Sequence, residues 1–461
     1  MLTRTMAIGT VALLFGVVAA STALSPNTPS TPHFPTTATT SPADCADRYA
    51  AIIEHFQPAN ARDPGGPNAW AMLIDAAAAM REVDARVWRG PAADSTDALP
   101  DFALIYAPPA DITERDSLNL ALSLKLLDEY RAAGVSDKLA IIPSTARAVR
   151  ARPGSQEYDR AVRAMGAAQA DDSWDGKIFG VLLSELAPTR ALARINAARM
   201  HRAAEARDTQ TFLSAFEQTL AIARVCSHQP GAIDRLVACS VARLAADQAG
   251  KAVRAGWTDA AVIDGLAAAL ERQTKWPSLR LTIEGERLLA LDTCRWLFDG
   301  DGKLDPKAAA IWGAIAGGDH PFDHTKIGDG RETRDDAVKT FNLAFDILAE
   351  SPDPSSSQLK RLASDVAAFK AALPPGHALV RLMLPTQLKT YEENSRSRAR
   401  LAVLRTTLAL EKHKAATGSY PDTLDQLART VEVTDPWTDL SLRYTKTAAS
   451  YEISSAEADA P

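Results

Sequence analysis

The sequence is poor in several features that mark common classes of protein. Aromatic residues make up only 6% of its 461 residues, and there are four cysteines. Basic charge is not in excess, because 51 lysines and arginines stand against 57 aspartates and glutamates, for a formal net charge of −6. General nucleic-acid binders are normally basic, so we expect no nucleic-acid partner. The low aromatic content favours thin, closely packed helices over a large β-sandwich.

Recognisable catalytic strings are also missing. The sequence has no GxSxG nucleophile elbow, no GxxxxGK[ST] phosphate loop, no GxGxxG fingerprint and no HExxH zinc motif. Catalytic triads can be scattered along a chain, so an enzyme stays open, but no specific activity is indicated. We expect no cofactor, and the absence of these strings favours a protein that is not an enzyme.

The four cysteines contain no CxxC pair, so a zinc or redox motif is not supported. Cys45, Cys226, Cys239 and Cys294 allow several disulfide pairings in an oxidising compartment, and the sequence does not choose among them. The alternative is that they are small apolar residues buried in alanine-rich helices.

Residues 1–24 have the layout of a signal peptide. Arg4 precedes an uncharged run over 6–24, and Ser21 and Ala23 stand at the small-residue positions of a cleavage site. The same run is just long enough to span a bilayer as a retained anchor. Cleaved signal peptide and uncleaved membrane anchor therefore both stay open.

A tract rich in serine, threonine and proline follows over residues 25–43 and predicts a flexible linker. The folded protein is therefore expected to begin near residue 43, outside the cytoplasm. We expect an exported protein, either periplasmic or anchored to the inner membrane and facing the periplasm. Membrane contact is expected only through residues 6–24, if they are not cleaved.

Residues 44–350 have the pattern of a helical array or bundle, and the predicted fold class is mainly α. Apolar residues recur at helical spacing over 69–87. Thr113-x-x-Asp116 is an N-cap pattern for a helix that Gly134 ends. The densest stretch predicts five helices joined by short loops, which should pack as antiparallel neighbours. Their expected ranges are 186–206, 209–226, 230–254, 259–273 and 277–298.

The domain organisation follows from breaks in this pattern. The body has the features of two subdomains with a break near 175–185, and a further helix is expected over 333–350. A linker and a helix are expected over 351–385. No repeat with a period near 34 residues holds, so a true repeat solenoid is disfavoured.

Asp299, Asp301 and Asp305 form the most suggestive local string, the Asp-x-Asp-Gly-x-Leu-Asp core of a calcium loop. Setting Gly302 at the sixth position of an EF-hand places apolar residues at the first and twelfth positions, where oxygen ligands are needed. The alternative, which we favour, is a polar turn in which Asp305 caps a helix.

The stretch from Asp319 to His324 brings together two carboxylates and two imidazoles, Asp323 and His320 among them. Such groups can hold a divalent metal, and the loop would then serve an exported metal-dependent hydrolase. Ligand spacing on a loop is not diagnostic, however, and no third histidine is near. The alternative is that His320 and His324 bond to the backbone.

Two of the expected helices carry clusters of basic residues. A solvated charged face is the simpler interpretation, and an anionic ligand is the alternative. The clusters are Arg194, Arg199, His201, Arg202 and Arg207 on one helix, and Arg396, Arg398, Arg400, Arg405, Lys412 and Lys414 on the other.

Residues 386–455 predict a small α+β module. A long helix is expected over 386–417, followed by a short second helix over 423–430. Two later segments alternate like the strands of a small antiparallel hairpin. These segments are 440–444 and 451–454.

A series of short motifs follows the long helix, namely Gly-x-Tyr-Pro, Leu-x-x-Leu and Asp-Pro-Trp. This order resembles the periplasmic part of the major pseudopilin of type II secretion systems, over about 60 of the 461 residues. The matching residues are Gly418, Tyr420, Pro421, Leu424, Leu427, Asp435, Pro436, Trp437 and Tyr444.

The chain also departs from that family. Nothing after Ser455 corresponds to the family's calcium loop, so calcium is not carried over. The long helix is internal, whereas the family builds its pilus from a processed amino terminus. The whole layout is similar to uncharacterised exported bacterial proteins with an alanine-rich helical body and this tail, a likeness that implies no activity.

Three hypotheses about function follow. The first is a non-enzymatic interaction or scaffold protein of the cell envelope, with envelope or secretion-system proteins as partners. The second is an accessory component of a type II secretion or pilus-like system. The third is the exported metal-dependent hydrolase that would use residues 319–324.

Overall fold

The structure is a computed structural model, and the predicted signal peptide or anchor, the predicted linker over 25–43 and the predicted break near 175–185 lie outside the part that it describes. No helix in that part combines the length and the apolar character that a membrane crossing requires. The described residues are 66–88, 100–150, 186–308, 333–374, 385–428, 431–447 and 449–456, with isolated positions between 51 and 55, 155 and 161, and 377 and 380.

The described chain is mainly helical and ends in a small antiparallel sheet, which confirms the predicted fold class at that level. The first helices are α1 (Ala69–Trp88), α2 (Ala103–Tyr106), α3 (Glu114–Ala132) and α4 (Val135–Ala140). The central helices are α5 (Leu186–Ala206), α6 (Thr209–Ser227), α7 (Ala232–Arg254), α8 (Ala260–Gln273) and α9 (Arg280–Leu297).

The last helices are α10 (Arg334–Ala349), α11 (Ser356–Ala372) and α12 (Pro385–Thr417). A tail of a short 3₁₀ helix and a hairpin follows, and its two strands pair antiparallel with Tyr444 opposite Ile453. The tail elements are the 3₁₀ helix Leu424–Leu427 and the strands β1 (Arg443–Lys446) and β2 (Tyr451–Ser454).

Local signals place the ends of these helices. The Thr113 hydroxyl accepts from the backbone N–H of Asp116, and the Asp116 carboxylate accepts from the N–H of Thr113, a complete capping box at the start of α3. Asp208 caps α6 by accepting from the N–H of Thr211 at 3.1 Å. Gly134, which follows α3, adopts a left-handed φ of 67°. The predicted helix bounds are therefore confirmed to within a few residues.

Helix α12 contributes residues to three separate apolar clusters. Leu401 and Leu408 join the large core built from α1 to α8. Tyr391 joins a second core formed by α9, α10 and α11. Ala402 and Leu410 join the small core of the tail. Since each fully buried leucine contributes about 1.5–3 kcal/mol, this helix ties the three units together.

Small polar side chains allow α12 to be buried on several sides. Ser397 and Thr406 are both fully buried, and Thr406 Oγ1 donates to the carbonyl of Ala402 in its own helix. Ser395 Oγ donates to the carbonyl of Pro354, just before α11. Because each of these hydroxyls donates to a nearby carbonyl, it can be buried without being left unsatisfied.

The tail folds back on the end of α12. Gly418 ends the helix with a φ of 83°. The buried Glu411 carboxylate accepts hydrogen bonds from the hydroxyls of Tyr420 and Tyr451, whose rings pack edge to face at 4.7 Å. Tyr444 donates its hydroxyl to the carbonyl of Pro421. These residues of the predicted module all have folding roles.

The Asp-Pro-Trp turn fixes the tail to the body. The Trp437 carbonyl accepts from the N–H of Ser356 at 2.6 Å, at the start of α11. The Arg396 guanidinium lies 5.7 Å over the Trp437 ring. Trp437 also packs against the second apolar core, so the tail has a defined position beside α12.

Candidate functional site

One face of α12 carries three evenly spaced cations. Arg398, Arg405 and Lys412 are seven residues apart, which is close to two helical turns and about 10.5 Å along the axis. They therefore share a face, with Leu401 and Leu408 on the same side. This face is one wall of a groove.

The second wall is the end of α8 and the segment that follows it. Ala267 lies one turn before Glu271 on α8, and Thr274 and Trp276 come after the helix ends. The Thr274 hydroxyl donates to the carbonyl of Leu270 at 2.7 Å. The Trp276 indole N–H donates to the carbonyl of Gln273 at 3.2 Å. These bonds fix the segment, so the indole holds its place in the wall.

The third wall comes from the tail, between the 3₁₀ helix and β1. Together the three walls enclose about 1230 Å³. The lining mixes apolar side chains with charges of both signs. Its tail residues are Gln426, Leu427, Val431, Glu432, Thr434, Pro436 and Asp439.

Arg235 of α7 reaches the groove from behind and is 2% exposed. Its Nε donates to Asn394 Oδ1 at 2.9 Å and its Nη2 to the Pro277 carbonyl at 3.0 Å. The guanidinium also lies 5.2 Å over the Trp276 ring. Every one of these partners is neutral, and Arg235 forms no ion pair within the described ranges. Its orientation is therefore fixed, and the negative charge of Asp353 favours its protonated form.

Arg405 and Arg398 lie near this cation. Arg405 donates to the Thr274 hydroxyl and has no ion-pair partner among the residues that the structure describes. Burial lowers the pKa of both Arg235 and Arg405. Carboxylates act in the opposite direction, since Asp353 raises the pKa of Arg235 and both Glu271 and Glu432 raise that of Arg405, while the positive charge of Arg398 lowers both. Arg398 is thus close enough to act on both other guanidiniums, and Asp353 lies 3.9 Å from Arg398.

The carboxylates of the helical walls already have cationic partners. Glu271 pairs with Lys275 at 2.7 Å. Lys412, at the outer end of the groove, pairs with Asp264 at 2.6 Å. The inner end also has charges of both signs, because Asp353 lies beside Arg398 and acts on Arg235, and Glu432 acts on Arg405.

A buried polar network lies behind the groove, at the corner between α6 and α7. Arg224 donates to the carbonyls of Ala146 and Pro143 and to Gln273 Oε1. His228 lies in the same corner with its Nδ1 2.8 Å from the Arg224 carbonyl. The network joins the segment before residue 150 to α8, and so supports the second wall.

His228 predicts a measurable dependence of stability on pH. Burial lowers the pKa of this imidazole from 6.5 to about 3. Between those values the unfolded chain binds a proton that the folded chain does not, so stability falls by about 1.4 kcal/mol for each unit that the pH drops below 6.5. Above pH 6.5 the contribution is fully present.

We expect His228→Gln to remove this slope between about pH 6.5 and pH 5, as measured by urea unfolding at several pH values. His201→Gln, at a partly exposed position on α5, is the control and should keep the slope. An unchanged slope in His228→Gln would show that other groups titrate in this window.

The aspartate string folds as a capped turn. Asp299 Oδ1 accepts from the N–H groups of Asp301 and Lys303. Asp305 Oδ1 accepts from the N–H of Lys307 at 2.8 Å, and Asp301 is exposed at the tip. The Asp299 and Asp305 carboxylates are therefore used by their own backbone.

The second metal candidate, with His320 and His324, lies outside the described residues. Across the ranges that are described, no three His, Cys, Asp or Glu side chains are grouped so as to hold a metal ion. Cys226, Cys239 and Cys294 are buried as thiols and are not joined to one another. Cys45 falls outside these ranges.

The structure arranges the two basic clusters differently. In the first cluster the cations are dispersed, since Arg199 on α5 bonds to Asn196 and Gln218, while Arg207, just after α5, lies over the Trp257 ring. On α12 the cluster divides, because Arg396 pairs with acidic neighbours of its own helix, whereas the residues at seven-residue spacing converge on the groove.

Sequence reasoning named Arg398 and Arg405 only as members of a cluster of six cations, for which it favoured a solvated face, and it missed Arg235 and Trp276. The spacing of seven along α12 was a usable signal, because it places side chains on one face. No comparable signal marks Arg235, which reaches the groove from another helix 159 residues before its partner Asn394.

Comparison with known proteins adds no identity: no protein-family model, curated protein or solved structure matches the chain. The resemblance of the tail to a pseudopilin therefore stays a prediction.

Proposed function

We propose that the protein is a non-enzymatic interaction protein of the cell envelope that holds an extended segment of a partner protein. The observation that carries the proposal is the groove between α12, α8 and the tail. Its lining offers apolar side chains, hydroxyls and fixed charges, which are the means by which proteins recognise one another.

The size of the groove favours a polypeptide over a small metabolite. Its volume of about 1230 Å³ is above the range of about 300–1,000 Å³ usual for small-molecule pockets. From Arg398 to Lys412 the basic wall runs about 21 Å along the helix axis. At about 3.3 Å per residue, an extended segment of about six residues matches that length.

A narrower candidate is an accessory role in a type II secretion or pilus-like system. The tail supports it, because the residues of the pseudopilin-like order build the module that forms the third wall. The partner would then be a component of that system. The metal-dependent hydrolase is the remaining alternative, and it depends on residues 319–324.

Photo-crosslinking from inside the groove tests the proposal. A photoreactive residue at His413, which lines the groove, should give a discrete adduct in cells with one envelope protein, identified by mass spectrometry. Ala267→Trp fills the groove and should reduce the adduct at least tenfold. Ala268→Trp, at the next and exposed position of α8, is the matched control and should leave it unchanged.

The proposal fails if no adduct forms at His413, or if Ala267→Trp and Ala268→Trp give the same yield. Thermal unfolding of both variants shows whether the helical body is intact. Metal bound to the purified full chain, together with hydrolytic activity lost in His320→Ala, would instead support the hydrolase.

A further inference from the structure

We infer that the tail wall of the groove carries an open strand edge at Thr434, and that the partner segment binds there as an added β-strand held by backbone hydrogen bonds. This inference rests on the proposed function, because it names how the extended segment is held. The occupant is accordingly an extended stretch of a partner protein with uncharged side chains.

The segment before β1 folds into a short antiparallel ladder. The N–H of Leu442 donates to the carbonyl of Val433 at 2.9 Å, and the N–H of Asp435 donates to the carbonyl of Leu440 at 2.7 Å. Residues 433–435 are thus paired along one edge with residues 440–442, and the ladder has a fixed place within the tail.

Thr434 lies between these two bonds, opposite Ser441. A pair flanked in this way is a non-hydrogen-bonded pair of an antiparallel ladder, so the N–H and C=O of Thr434 point away from Ser441. Among the described residues, no backbone group bonds to the N–H or C=O of Thr434, nor to those of Glu432, two positions earlier. The outer edge of this strand is therefore open.

The open edge belongs to the groove. Glu432, Thr434 and Pro436 line the groove, and they alternate with Val433 and Asp435, which are buried. Such alternation is the pattern of a strand with one accessible face. Pro436 has no N–H to offer, so the stretch that can pair with an added strand ends at Thr434.

An open edge is a template for another strand. Its unpaired N–H and C=O groups can pair with an extended chain. Strand addition is a recurring mode of peptide recognition, in which backbone bonds give affinity and alternate side chains give specificity. Leu401 and Leu408 of α12 line another wall of the groove, so the side chains of an added strand have an apolar surface to contact.

The charges of the groove favour an uncharged occupant. Its carboxylates and cations act on one another, as Asp353 does on Arg398 at 3.9 Å and Glu432 does on Arg405. A charged segment would have to compete with these contacts, whereas a backbone adds no net charge to them. Recognition through the strand edge therefore leaves the existing charge pairs in place.

Hydrogen exchange of the full-length protein with a probe peptide tests the inference. The probe is a hexapeptide of alternating threonine and valine with blocked ends, which is uncharged and favours an extended conformation. At millimolar concentration it should slow exchange of the Thr434 amide at least tenfold and leave the Ser441 amide unchanged. A copy that is N-methylated at its two central residues has a blocked N–H on each edge, and it should bind at least tenfold more weakly.

Two proline variants assign the binding to one edge of the ladder. Thr434→Pro removes the N–H of the open edge, and it should reduce both probe binding and the photo-adduct at His413 at least tenfold. Ser441→Pro alters the opposite member of the same bridge, and as the matched control it should leave both unchanged. The amides of Asp435 and Leu442, which form the ladder, should stay protected in both variants.

An unprotected Thr434 amide in the presence of the probe, or equal binding of the probe and its N-methylated copy, would overturn the inference. Protection of Thr434 that rises with protein concentration alone would also overturn it, because a second copy of the chain would then occupy the edge.

The photo-adduct at His413 separates the two proposals. If Thr434→Pro keeps an adduct that Ala267→Trp removes, the interaction function stands and the strand addition fails. If the probe protects the Thr434 amide but no adduct ever forms in cells, the interaction function fails and the open edge remains.

Discussion

Asp234→Ala is expected to lower the free energy of unfolding by about 3–5 kcal/mol, because it removes the carboxylate with which the buried Arg150 guanidinium pairs. Both side chains are 1% exposed, and Asp234 Oδ1 lies 2.6 Å from Arg150 Nη2. The second oxygen lies 3.2 Å from Arg150 Nη1, so the pair is bidentate. Urea unfolding followed by circular dichroism measures the change.

The position of this pair explains the size of the effect. It joins Arg150 to α7, and the Arg150 N–H also donates to Gln229 Oε1. Loss of the carboxylate therefore weakens the corner that supports the second wall of the groove. Replacing both members with apolar residues, as in Arg150→Met with Asp234→Leu, should recover much of the loss.

An exposed ion pair provides the control. Arg86 and Glu129 lie 3.0 Å apart, with 63% and 38% of their side chains exposed. Because solvent screens such a pair, Glu129→Ala should change the free energy of unfolding by less than about 1 kcal/mol. Equal losses in Asp234→Ala and Glu129→Ala would contradict the argument from burial.

Asp435→Ala is expected to open the tail while the helical body stays folded. The buried Asp435 carboxylate accepts from the N–H groups of Trp437 and Ala456 and from the hydroxyl of Ser455. It thus fastens the turn before β1 to the end of β2. Hydrogen bonds to charged groups contribute about 1.5–3 kcal/mol each, and their effects overlap, so we expect a local loss of about 3 kcal/mol.

Hydrogen exchange measured by mass spectrometry distinguishes local from global opening. Amides over 431–456 should lose protection in Asp435→Ala, whereas amides of α6 should keep theirs. Asp422→Ala removes an aspartate that is 80% exposed and pairs with Lys446, and it should change little. Protection lost equally in α6 would show that the tail and the body unfold as one unit.

The same substitution bears on the groove. If the tail opens, the third wall is lost, and the photo-adduct at His413 should fall together with tail protection. An adduct that persists with an open tail would show that α8 and α12 suffice to hold the partner.

The first strand of the tail shows where a local sequence pattern fails to predict the bounds of an element. The alternating pattern predicts the first strand over 440–444, but β1 is Arg443–Lys446. The carbonyl of Leu440 accepts from the N–H of Asp435, and Ser441 bridges to Thr434. Leu440 and Ser441, which the pattern assigned to the strand, thus pair with residues around the Asp-Pro-Trp turn instead of with β2.

The sequence by itself determined where helices begin and end. Thr113 with Asp116, Asp208 with Thr211, and Gly418 act on their own backbone within a few residues, so these signals are read without knowledge of the fold. The seven-residue spacing of the cations on α12 is local in the same sense, and it fixes which residues share a face.

Only the tertiary structure decides which residues that face of α12 contacts. Arg235 and Asn394 are 159 residues apart, and Arg150 and Asp234 are 84 apart. No local pattern encodes such pairs, because they depend on how α7, α8, α9 and the tail pack around α12. The groove exists only through this packing, since each of its walls comes from a different part of the chain.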